Sequence, residues 1–496
     1  MDGMVNFCSE CGEALTGSKR FCPRCGAATG RAGPSVGSPD GERGQVLRAL
    51  SGHPDAAVRL GVGMNPSTPA DVLDVLASDT DSGVRGAAAG NPSTRVDVLR
   101  TLSTDPDVAV RRRITRLAYA PADALATLAT DDDDEVRREV ARNPATSPAT
   151  LEALATDAND AVRSEVASNT ATPPVTLRAL ALDKYDNVPG CVSRNPSTPP
   201  DLLSEFASSP NWRRQLSVAA NPSTPRDALE ALSRHHEVFM RCGVASSRST
   251  PGDILRSLSA DRSSEVRVAT AGNPSTPEDV LQLLAADPEQ KVRNATAGNP
   301  STPTEVLRDM ADSDDNDVTM ELAWNPSSPL DLLRAVWTNN PVLAGLGLAS
   351  NPAAPPEILR EAATKGWGVP LDFARNPQTP PETLRSLAQE PDEEIDIRST
   401  IAERPSVPGD ILEMLAQDQD CYVRQMVAEN PSAPARALEA LASDANWNVR
   451  SAVAGNPSTP MKSLRVLAND SSVCAFVIGG ASTPIPVLQS VADAMP

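Results

Sequence analysis

The residues best suited to chemistry in this 496-residue chain lie within its first thirty positions. Cys8-Ser9-Glu10-Cys11-Gly12 and Cys22-Pro23-Arg24-Cys25-Gly26 form two CxxC knuckles, with ten residues between Cys11 and Cys22. Such a pair delivers four thiolates to one tetrahedral ion. Gly12 and Gly26 let the backbone turn tightly after each knuckle. Phe7 and Phe21 precede the knuckles and are placed to pack on each other beneath the metal. A segment this short needs the ion to hold a fold. With Cys8, Cys11, Cys22 and Cys25 all ligating, no position is left for a catalytic water, so zinc here is read as structural. A 4Fe–4S cluster is the alternative, because four cysteines also suit iron.

The head resembles the short zinc-ribbon domains found at bacterial N-termini. It is assigned to residues 1–29, followed by a Gly-, Ser- and Pro-rich flexible linker over residues 30–43. The other cysteines, Cys191, Cys242, Cys421 and Cys474, are scattered. That pattern fits a reducing compartment, and a cytoplasmic location is expected. No signal segment and no run of 18 apolar residues is present, so no membrane span is expected.

Elsewhere the chemistry is sparse. Arg111, Arg112, Arg113 and Arg116 make the densest basic cluster and are the candidate ligand surface, with phosphate in view. Arginine also recurs in a Val-Arg slot, as at Arg59, Arg85, Arg137, Arg163, Arg267 and Arg424, with Met240 in place of valine before Arg241. Regularly spaced aspartates, such as Asp79, Asp81, Asp105 and Asp107, favour a structural ladder of ion pairs over a phosphate-gripping stripe. Trp212, Trp324, Trp337, Trp367 and Trp447 are rare large groups, read equally as interface anchors or as gap-fillers. The histidines are His53, His235 and His236; no cysteine lies near the adjacent pair, which argues against a metal role. No nucleophile elbow, phosphate-cradling Gly loop or HExxH occurs, and no enzymatic activity is expected.

These groups must be positioned by a repeat. Asn65-Pro66-Ser67-Thr68-Pro69 returns unchanged at 195–199, 221–225, 273–277, 299–303 and 456–460, at an interval of 26 residues over most of the chain. A fixed period of this size means a solenoid. Within residues 65–90, Thr68 reads as an N-cap and Pro69 as the first helical residue. Asp71 then falls three residues past the cap, where it favours the helix dipole. Leu73, Leu76 and Ala77 share one helical face. Val84 and Ala88 mark a second, shorter helix, expected to be partly 3₁₀. The pattern breaks at residues 117–121, where Leu117 stands for asparagine, at Val188-Pro189, at Val318-Thr319 and through residues 339–348. The interval shrinks to 25 at Asn376 and stretches to 28 at Arg404. Terminal units are expected to differ because one face of each meets water.

The Asn-Pro-Ser-Thr-Pro corner, the Leu-x-x-Leu-Ala helix and the Asp-x-x-x-Val-Arg stretch resemble the variant leucine-rich repeat family of bacterial proteins. The resemblance covers residues 44–496, about seventeen repeats of 26 residues. It implies an all-α fold, a right-handed superhelix of alternating α and 3₁₀ helices. One family member carries an iron–sulfur cluster on N-terminal cysteines, which sustains that alternative here. The family brings no catalytic residues. Net charge is −20, and the excess lies wholly on the array because residues 1–43 are balanced. An acidic surface argues against sequence-blind nucleic-acid binding and against anionic membranes. The expected function is a monomeric, non-enzymatic scaffold for a protein partner. A redox or iron-sensing protein and a nucleic-acid-binding solenoid are the alternatives.

Overall fold

The computed structural model describes residues 6–7, 14–15, 39–311, 316–389 and 395–494. Two short strands, Asn6–Phe7 and Ala14–Leu15, pair antiparallel. From Pro39 onward every described element is an α-helix. The first opens at Pro39, inside the stretch assigned to the linker. The described residues divide into two compact units. One runs up to Thr146 and resumes at Leu464; the other spans residues 147–463.

Each repeat is a helix pair, but the expected proportions are reversed. The first helix, Ala70–Leu76, has 7 residues, and the second, Ser82–Gly90, has 9 and is α rather than 3₁₀. Asp81 explains the second helix: its carboxylate accepts from the Val84 N–H and caps the start. Leu73 and Leu76 bury the inner face of the first helix, and Val84 and Ala88 that of the second. Small residues along the second helices let neighbouring repeats pack closely, and these helices stack on one another within each unit.

Thr68 is not a cap. Pro69 holds the N-cap position in an extended conformation without a side-chain bond. The Thr68 hydroxyl turns back and donates to the Val62 carbonyl at 2.6 Å, closing the preceding helix. Asp71 therefore sits one position nearer the helix start than the sequence suggested. It also accepts from Arg48 of the preceding repeat at 2.6 Å. Arg178–Asp201 and Arg256–Asp279 repeat this exposed pairing.

The corner asparagine is the buried bolt of the array. Asn273 Nδ2 donates to the carbonyls of Ala245 and Ser247, one repeat earlier, at 2.6 and 2.8 Å. Its Oδ1 accepts from the Ser275 N–H. The same bonds recur at Asn91, Asn195, Asn299 and Asn430. Where the interval stretches to Arg404, that guanidinium takes over, donating at 2.7 Å to the Ala374 and Asn376 carbonyls. The irregular region after residue 330 is absorbed by longer helices, such as Leu330–Asn339 and Pro341–Ser350. Gly366, at φ 70, closes another, and the Trp367 N–H reaches the Ala362 carbonyl behind it. Trp337 and Trp367 pack together there, ring centroids 5.8 Å apart, so these two fill a gap.

The expectation of a water-facing terminal unit fails at the first repeat. The Cys474–Gly479 helix stacks against Ala56–Met64, and Ile485–Asp493 packs against Pro39–Leu50. Asn65 Nδ2 donates to the carbonyls of Ile478 at 2.6 Å and Gly480 at 3.2 Å. The last repeat thus stands where a preceding repeat would stand.

Candidate binding cleft

A second ladder runs through the loops between paired helices. Arg59 Nε and Nη2 clasp the Asp79 carboxylate at 2.6 and 2.9 Å. Nη1 donates to the carbonyls of His53 and Pro54. Asp79 Oδ1 also accepts the Asp81 N–H, so one carboxylate turns the loop and joins two repeats. The rung recurs as Arg85–Asp105, Arg111–Asp131, Arg163–Asp183, Arg241–Asp261, Arg267–Asp287, Arg398–Asp418 and Arg424–Asp444. The ladder reading of the recurrent arginines is what the geometry shows. Hydrogen bonds from the arginine hold the Asp79, Asp183 and Asp287 carboxyls below the ordinary aspartate value, against burial.

The candidate phosphate cluster is largely committed to the same role. Arg111 pairs with Asp131, and Arg112 and Arg116 converge on Glu139 at 2.9 and 2.6 Å. Burial pushes the Glu139 carboxyl up, but hydrogen bonds from Arg112, Thr115 and Arg116 outweigh it and lower its pKa. Arg113 lies across Gly90, where an added side chain would collide with it. Cys8, Cys11, Cys22 and Cys25 lie outside the described residues. Among the described residues no three metal-ligating side chains gather.

The ladder fails at two consecutive steps beside the exposed Trp212, as it does again where Thr319 and Gly345 stand in arginine slots. Pro189 stands in an arginine slot and Ser209 in its aspartate slot; Gln215 and His235 do so one repeat later. Each replacement keeps the loop turn and drops the ladder pair, while Arg214 and Asp186 still pair across the first of these steps at 2.8 Å. Ser209 Oγ accepts the Asn211 N–H at 3.2 Å, and His235 Nδ1 accepts the Glu237 N–H at 3.1 Å. Gln215 folds back onto the Ala207 carbonyl. Burial lowers the His235 pKa, as do the charges of His236 and Arg241, while Glu237 opposes them.

Aromatic groups gather at the same place. Trp212 meets Phe239 edge-on, ring centroids 5.6 Å apart at 82°. The Arg213 guanidinium lies 4.9 Å over Trp212, a cation–π contact. Trp212, Phe239, Pro210, Gln215, His235 and Glu237 line a cleft of about 750 Å³. A second hollow of about 670 Å³, between Leu182, Leu202, Phe206 and Arg214, shares Ser209 and Pro210 with the first. Trp212 is 46% exposed and Leu182 85% exposed. The cleft offers apolar walls, one amide, two imidazoles and a carboxylate. That inventory suits gripping a side chain. Burial raises the pKa of the nearby Cys242 thiol and keeps it protonated. The sequence flags Pro189, weighs Trp212 and considers His235 only as a metal ligand, and Gln215 goes unmarked. The available signal is two adjacent slots losing both members of their pair while an exposed Trp212 and Phe239 enter.

The leucine rich repeat variant family model matches residues 134–159 and 423–446. Each match starts in or near a second helix, crosses the corner and the next first helix, and ends in the following loop. It is this chain's repeat in another phase. A solved leucine-rich repeat variant with a novel repetitive structural motif is 27% identical, covering 45% of this chain and 87% of its own, with a TM-score of 0.32. An engineered protein is 18% identical over 92% of this chain and 100% of its own, with a TM-score of 0.16. The karyopherin Kap121p, solved with the extreme C-terminus of the phosphatase Cdc14p, is 12% identical over 88% of this chain and 56% of its own, with a TM-score of 0.28. No curated protein matches.

Proposed function

We propose that this helical repeat array is a protein-interaction scaffold, and that the cleft between Trp212 and Phe239 is where a partner protein inserts an apolar side chain. The supporting observation is the coincidence of two missing ladder rungs with exposed aromatics beside a cleft. Exposed aromatics in such a setting are typical binding anchors. The test is capture of partners from nuclease-treated lysate by the full chain and by Trp212→Ala/Phe239→Ala. A defined protein held by the parent chain and lost with the double variant is expected. An unchanged set of captured proteins would overturn the assignment.

The N-terminal cysteines complete this reading as a structural zinc head at Cys8, Cys11, Cys22 and Cys25. Their support is the donor set and its spacing. Elemental analysis of anaerobically purified protein should find one zinc per chain. Iron with a visible absorption band would instead favour the cluster alternative.

A further inference from the structure

The step between the last repeat and the first repeats the corner chemistry of the asparagine-bearing steps but lacks the charge ladder. Asn65 makes the two backward bonds of an internal corner, to Ile478 and Gly480. The approach is close enough to require glycine on both sides. A Cβ on Gly61 would stand 2.7 Å from Ile478 Cβ and 2.8 Å from the Ala475 carbonyl oxygen. A Cβ on Gly479 would stand 2.9 Å from Met64 Cβ. Beneath the bonds the contact is apolar. Val477, Ile478 and Leu488 from the end of the chain are fully buried, as are Leu47 and Val62 from its start. Where an arginine and an aspartate would complete the rung, Phe476 and His53 stand instead. His53 Nδ1 accepts the Asp55 N–H, as His235 does with Glu237 in the cleft. The joint is therefore a shape fit carried by apolar packing and two amide bonds, with no bidentate ion pair across it.

We propose that the face of the Ala56–Met64 helix is an interaction surface for a second copy of this chain, which seats its own 474–494 segment there in exchange. Every contact the segment makes with the first repeat is available unchanged from another molecule. Exchange of an identical element costs no contact, so the tether alone biases the chain against it. That bias is the effective concentration of the tethered end, and it is overcome as chain concentration rises. The head-to-tail character of the contact allows chains of copies as well as pairs. This inference is independent of the cleft.

The test mixes two forms of the full chain that carry different affinity tags, unfolds them together, and refolds them at increasing chain concentration. Each sample is captured on one tag and probed for the other. The expected result is no cross-capture in dilute samples and cross-capture that rises with concentration, reduced by Asn65→Leu, which removes both amide bonds across the joint. No cross-capture at any concentration would overturn the exchange. Cross-capture unchanged by Asn65→Leu would place the association elsewhere and overturn it as well. Light scattering of the parent chain over the same range, read for a rising mass, checks the proposal without any substitution.

Discussion

Two kinds of step connect the repeats, and the contrast between them separates support from recognition. At the Arg267–Asp287 step, a bidentate pair is locked further by the loop carbonyls and by the Glu289 N–H on Asp287. Little polar capacity is left for a ligand. At the Gln215–His235 step the loops turn in the same way, yet no charge crosses, and the freed side becomes a cleft walled by Trp212 and Phe239. The Gln215–His235 step also lacks the corner asparagine: Ser247 stands there and its hydroxyl pairs with Ser249, while one step earlier Asn221 still bonds to the Ser193 and Asn195 carbonyls. Beside the cleft both the asparagine bolt and the ion-pair brace are given up.

Acid should break the contrast most widely. The ladder aspartates have folded pKa values below their unfolded ones, so their contribution is full above about 3.9 and is lost as pH falls through the lowered values. Hydrogen exchange measured down through that range should rise first at rung-bearing loops. The loop at residues 209–212, which has no such aspartate, should not share in that onset. Uniform onset along the array would contradict the brace role. At a single site, Asn273→Leu strands two buried carbonyls and one N–H, a loss of about 3 kcal/mol in urea unfolding. Gln215→Ala should stay within about 0.5 kcal/mol. Comparable losses would erase the distinction between bolt and cleft. The last variant, a modest gain in stability, has the sharpest meaning. Gln215→Arg with His235→Asp rebuilds a rung, and should raise stability by about 1 kcal/mol while abolishing partner capture. Retained capture would place recognition elsewhere.

Much of this was legible in the sequence. The Asn-Pro corner announces the repeat because its asparagine is used identically at almost every step. The recurrent arginines announce the ladder because their acceptors recur at the same spacing. Thr68 misled for a physical reason: a hydroxyl before a helix can cap forward or close backward, and Pro69 in the cap position turns it backward. The helix lengths were misjudged because Leu-rich spacing marks a first helix more visibly than alanine and glycine mark a second. The cleft was half legible, through Pro189 and the tryptophans, but a histidine that mimics aspartate at a loop N–H looks like an isolated histidine in one dimension. The joint left only two glycines as its trace, Gly61 and Gly479, and nothing local pairs them.

The direction of the corner bonds sets a timetable. At a regular corner such as Asn273 the amide reaches back to carbonyls made 26 and 28 residues before it, so such a repeat leaving the ribosome finds its acceptors already in place. Asn65 is the exception. Its acceptor at Ile478 lies 413 residues ahead, so this corner stays open until that distant segment has been made.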